Sequence, residues 1–124
     1  MHNKNHIDVA QILGQTENHL HYISERVAIH KKMTKAFDAM VNAARNDGIE
    51  LRIASGFRSF NRQLMLWNNK FSGKTPIKNM AGTVISSEML SPLELAHSIL
   101  LYSALPGASR HHWGCDIDVY APNL

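Results

Sequence analysis

Only one cysteine, Cys115, occurs in the 124 residues, so no disulfide within the chain can brace the fold. That poverty does not fix the compartment, because proteins of the bacterial envelope also fold without disulfides. Net charge is low as well, at +3 with His neutral. Such an excess is too small and too dispersed for a nucleic-acid footprint. The basic cluster of Lys31, Lys32 and Lys35 reads as the solvated start of a helix. No apolar run approaches the roughly 20 residues that cross a bilayer as a helix. Residues 1–17 lack the order of positive, apolar and small residues that marks a secretory leader. Either export information was removed or the protein acts inside the cell. No internal repeat or low-complexity tract occurs.

What is present is enough for one domain over 1–124, with 44% apolar residues to build a single modest core. Residues 7–13 read as a short helix or turn, with Asp8 early and Gly14 as its stop. Residues 22–27 are ambiguous and could be extended. Residues 29–46 give the clearest helix: Ile29, Met33, Phe37, Met40 and Ala44 recur at helical spacing, and Gly48 closes it. Residues 49–54 read as a strand. Ser59 caps a helix running to about Phe71, with Leu64, Trp67 and Phe71 on one face. Residues 72–76 form a loop whose Gly-Lys-Thr lacks the upstream Gly of a phosphate-binding motif. Residues 77–88 are irregular. Residues 92–103 form a further helix, with Ser91 as N-cap, Pro92 in the first turn and Glu94 as reciprocal capping partner. Residues 105–108 turn the chain, and 116–120 form a second strand. Helices before and between two strands predict an α+β fold, with helices packed on a small antiparallel sheet.

Chemistry concentrates near the end of the chain. His111 and Asp118 stand seven apart with Gly114 between them. An imidazole and a carboxylate are common ligands of first-row metals, and a glycine at the bend lets both point at one ion. Alternation along the strand puts Asp116, Asp118 and Tyr120 on one face. It puts Cys115, Ile117 and Val119 on the other, which makes Cys115 a small buried residue. Upstream, Arg58 follows the first strand within Ser55-Gly56-Phe57-Arg58-Ser59. A guanidinium held there offers a planar fork to a substrate carboxylate or a developing oxyanion. Gln63 is a further polar candidate for substrate contact. Ser109 could hold a substrate carboxylate or orient His111. Trp113 could wall a cleft or sit in the core, and His112 could touch substrate or lie on the rim.

The run Ser109-Arg110-His111-His112-Trp113-Gly114-Cys115-Asp116-Ile117-Asp118 resembles the Ser-x-His-x-x-Gly-x-Ala-x-Asp signature of the VanY-type zinc D-alanyl-D-alanine carboxypeptidases. The segment around Arg58 is similar to that family's Ser-Gly-Tyr-Arg-Ser motif, and the two occur in the family's order. The resemblance implies a small sheet whose face holds zinc, with His111 and Asp118 as ligands and Arg58 acting catalytically beside the scissile carbonyl. It also implies hydrolysis of peptidoglycan stem peptides and a place in the bacterial periplasm or envelope, the cytoplasm being the alternative. Asp116 stands where the family has Ala; a second carboxylate there could act from behind the ligands or disturb them.

The family's third zinc ligand is the His of a downstream Glu-x-x-His, whose Glu is the general base. No Glu or His follows Asp118 here. The expectation is an incomplete zinc peptidase, lacking its C-terminal part and inactive as it stands. Its short sheet would have an uncovered edge prone to self-association. An internal Glu-x-x-His, Glu94 to His97, lies before His111, and helix capping accounts for its Glu. His2, His6, His19, His21 and His30 show no coherent ligand spacing. Two alternatives stay open: a non-catalytic peptidoglycan- or peptide-binding module of the same fold, and a related L,D-carboxypeptidase or endopeptidase. A purely structural helical protein would leave both motifs unexplained.

Overall fold

A computed structural model describes residues 8–124. His2, His6 and the first residue of the helix expected at 7–13 lie outside the described residues. Helix α1 (Val9–Ile12) starts at Asp8, whose Oδ1 accepts from the Ala10 N–H at 3.0 Å. Strands β1 (Leu20–Tyr22) and β2 (Ala28–His30) then form an antiparallel hairpin, with Leu20 opposite His30 and Tyr22 opposite Ala28. Helix α2 (Thr34–Asn46) leads to β3 (Arg52–Ser55) and α3 (Phe60–Phe71). A two-residue ribbon of β4 (Ile77–Lys78) and β5 (Val84–Ile85) precedes α4 (Pro92–Leu100). A 3-10 turn at Arg110–Trp113 brings the chain into β6 (Asp118–Tyr120). β6 returns antiparallel to β3, with an irregularity between Ile53 and Ser55 that leaves Ser55 opposite Asp118.

The α+β class holds, as helices with small antiparallel pairs. Among the described residues the sheet is divided into three separate ribbons. The compact core lies under α3 and α4, where Ile77, Leu95 and Ile99 are buried and Trp67, Ile85 and Leu90 pack against them. Both expected N-caps form: Ser59 Oγ accepts from the Arg62 N–H and Ser91 Oγ from the Glu94 N–H. Each contact satisfies an amide that the helix itself cannot.

Three expectations change. The helix expected over 29–46 begins only at Thr34. Ile29 is a fully buried strand residue, and tertiary partners take the backbone around it. His30 N–H donates to Gly114 O at 2.9 Å and Lys31 N–H to His19 O at 2.9 Å. Along α2, Phe37 is buried but Met40 is exposed, so the apolar stripe is only partly used. On α3 the inward residues are Gln63, Trp67 and Lys70, while Leu64 and Phe71 of the expected face stay exposed. Finally, β6 begins at Asp118, so strand alternation does not reach Cys115, which is exposed.

Candidate metal and peptide site

Two short segments interlock to form the site. The β3–α3 loop, Ser55 to Ser59, lies against the 3-10 turn carrying His111. Arg58 N–H donates to His111 O at 3.0 Å, and the His111 ring Nδ1 lies 2.9 Å from Gly56 O. The His112 ring closes the clasp from beneath, with Nδ1 2.6 Å from Arg58 O. Its Nε2 accepts from the Gly107 N–H at 3.0 Å. An acceptor at Nε2 leaves the proton on Nδ1, so His112 is a neutral tautomer donating to Arg58 O. His112 is wholly buried. It is therefore an internal strut, which corrects the expectation of a rim or substrate-touching residue. Consecutive residues of a 3-10 turn diverge widely about its axis. Here His111 is only part-buried while His112 is turned fully inward.

Ser109 is buried, and its Oγ accepts from the His111 N–H at 3.2 Å, capping the turn. Of the two roles open to it, this geometry serves the orientation of His111. Gly114 ends the turn at φ +80°, where a Cβ would lie 2.8 Å from Leu20 Cδ2 and 3.0 Å from His30 N. Gly56 is confined differently: a Cβ there would lie 2.5 Å from Ala28 O.

His111 spends its Nδ1 proton on a backbone carbonyl, which turns the Nε2 lone pair outward. That nitrogen faces Asp118 Oδ2 at 3.3 Å. A cation between them reconciles the two: a proton, which makes an imidazolium–carboxylate pair, or a metal ion. Neighbouring nitrogen and oxygen ligands of a tetrahedral zinc ion lie about 3.4 Å apart for ordinary bond lengths. The pair thus fits two corners of a zinc shell. Among the described residues no group of three His, Cys, Asp or Glu converges as a metal cluster. Glu94 and His97 are both exposed on α4.

Arg58 is half-buried and fixed, with one terminal nitrogen donating to Gln63 Oε1 at 3.0 Å and the other to Ser55 Oγ at 3.2 Å. Burial pushes the guanidinium pKa down, the Asp118 carboxylate opposes that shift, and Arg62 adds to it. Gln63 is itself buried, and its amide nitrogen donates to Ala104 O at 2.7 Å. It acts on Arg58 and the backbone, a positioning role that its sequence context did not signal. Asp116 pairs with Arg110 at 3.1 Å on the exposed rim, and Trp113 is 42% exposed.

The sequence profile of VanY, D-alanyl-D-alanine carboxypeptidase, matches residues 26–124. An uncharacterised protein of Haemophilus influenzae is 31% identical over 98 residues, covering 76% of this chain and 67% of that protein. Among solved structures, VanYB in complex with D-alanine-D-alanine matches with a TM-score of 0.68 at 21% identity, over 89% of this chain and 55% of that one. A vancomycin-resistance D,D-pentapeptidase VanY variant in complex with Zn(II) gives 0.65 at 20% identity, over 88% and 57%. The LdcB LD-carboxypeptidase gives 0.60 at 23% identity, over 86% and 44%. These three establish likeness of fold, and the chain spans about half their length.

Proposed function

The chain belongs to the VanY D-alanyl-D-alanine carboxypeptidase family, and on that premise we propose that it serves zinc-dependent hydrolysis of peptidoglycan stem peptides ending in D-alanyl-D-alanine. The observation that carries this reading is the His111 Nε2 lone pair facing Asp118 Oδ2 at 3.3 Å, with Arg58 fixed alongside. The Zn(II) and D-alanine-D-alanine complexes of the two VanY structures support it. His111 and Asp118 would hold the metal, which when bound supplies a Lewis acid and lowers the pKa of a water molecule toward neutrality.

The chain's own residues account for the rest of this reading. Gly56 O fixes the His111 tautomer, and the Ser109 cap fixes the turn. Arg58, spread between Ser55 and Gln63, is organised before substrate arrives, so aligning it costs little when negative charge develops on the scissile carbonyl oxygen. An envelope location follows from the proposed substrate. No described helix is long and apolar enough to cross a membrane.

Equilibrium dialysis against zinc, with metal analysis, tests the ligand assignment. The chain should take up zinc, and His111→Ala or Asp118→Ala should each weaken uptake by at least about tenfold. Unchanged uptake by both variants would remove the metal site.

A further inference from the structure

Gln63, Trp67 and Lys70 share the inward face of α3. A helical side chain reaches back toward the N-terminus of its helix, which here is the Arg58 end. The Lys70 ammonium donates to Ser103 Oγ. The next residue, Ala104, accepts from Gln63, and Gln63 in turn accepts from Arg58. Lys70 and Arg58 thus stand at the two ends of one short chain of contacts. Both are part-buried. Burial lowers the Lys70 pKa, and the charge on Arg58 lowers it further.

Among the described residues neither cation forms an ion pair. Asp118 acts on Arg58, but it faces His111 and is a ligand in the metal reading. Ser103 is neutral and takes one of the three donors of the Lys70 ammonium. Two part-buried positive charges near one another are costly without a counter-charge. The arrangement suits an incoming anion.

Under the peptidase reading, on which this inference rests, the substrate brings two such groups. One is the scissile carbonyl oxygen as it develops charge, and Arg58 serves it. The other is the terminal carboxylate, one residue further along, which is at most about 3.6 Å of chain. Ser109, the other candidate for that carboxylate, is buried and caps the His111 turn. We propose that the Lys70 ammonium binds the free terminal carboxylate of the peptide, one residue beyond the carbonyl at Arg58. Lys70 is then a specificity residue. A peptide that continues past this point presents a neutral amide there, so the site favours chain ends over internal bonds.

The test uses the full chain, 15N-labelled and supplied with zinc, titrated with two acetylated tripeptides ending in D-alanyl-D-alanine. One has a free carboxyl terminus, and in the other that carboxyl is amidated. The free acid should bind at least about tenfold tighter. Lys70→Met should cut this advantage by at least about threefold. Lys70→Gln, which keeps a donor for Ser103 and lacks the charge, should do the same. Ser103→Ala removes the fastening but leaves the ammonium, and should retain most of the advantage. An advantage undiminished in both Lys70 variants, or lost equally in Ser103→Ala, overturns the Lys70 assignment and leaves the peptidase reading standing. Absence of amide shifts near Arg58 and His111 with either peptide overturns both.

Discussion

Gln63 shows how a polar side chain can be both deeply buried and fully used. Its carbonyl oxygen takes an Arg58 N–H and its amide nitrogen satisfies Ala104 O. Gln63→Leu keeps the volume but strands two backbone or charged groups. We expect a loss of about 1–3 kcal/mol in urea unfolding, together with weaker peptide binding as Arg58 loosens. His19 is the opposite case. It is 6% exposed, and neither ring nitrogen makes a hydrogen bond among the described residues. Burial lowers its pKa, and His30, whose ring lies edge-on at 5.4 Å, lowers it further; Asp8 and the carbonyls of His112 and Trp113 pull the other way. The folded chain therefore binds a proton at His19 less readily than the unfolded chain. Its contribution to stability is complete above the unfolded value of about 6.5. It is lost as pH falls through the lower folded value, because the unfolded state takes up the proton first. His30, also lowered by burial, adds the same sign. Urea midpoints should drop between pH 8 and pH 5, and His19→Leu should shrink that drop; an unchanged drop would leave His19 without this role.

The β1–β2 hairpin is the element against which both motifs are set. Gly56 abuts Ala28 O, and Gly114 abuts Leu20 and His30 N. Glycine in each motif is thus explained by the closeness of one hairpin, and at Gly114 by a left-handed φ as well. Gly114→Ala should destabilise the fold by at least about 1 kcal/mol, measured by thermal or urea unfolding, and should weaken zinc uptake by shifting the turn that carries His111. The elements legible in the sequence are those fixed by local chemistry. α3 and α4 start at Ser59 and Ser91 because a serine oxygen satisfies a nearby amide whatever lies elsewhere. The hairpin was not legible. Its strands are three residues each, too short to show alternation, and its register is held by distant partners such as Gly114 O. The helical spacing of Ile29 and Met33 was fortuitous, since Ile29 serves a strand. At the site, His111, Asp118 and Arg58 were legible because their spacing is the motif. His112 and Gln63 were not, because their partners are backbone carbonyls and amides, which no residue name reveals.

Taken as one body, the molecule leaves a pairing surface open. β6 is paired with β3, and all three of its residues are exposed. We propose that this edge mediates self-association. Light scattering should show an apparent mass that rises with concentration, and Val119→Lys should hold the chain monomeric; a monomer at every concentration would count against it. Between Phe71 and Ser103 the chain leaves the site and comes back. Where it returns, it is fastened to α3 through Lys70 on Ser103 and Gln63 on Ala104. The contacts that set His111 against the Arg58 loop are all made outside that excursion. It also carries the buried Ile77, Leu95 and Ile99 that pack with Trp67 of α3, so insertions confined to its exposed loops, with that packing and both fastenings kept, can remodel the outer surface while the chemical centre keeps its dimensions.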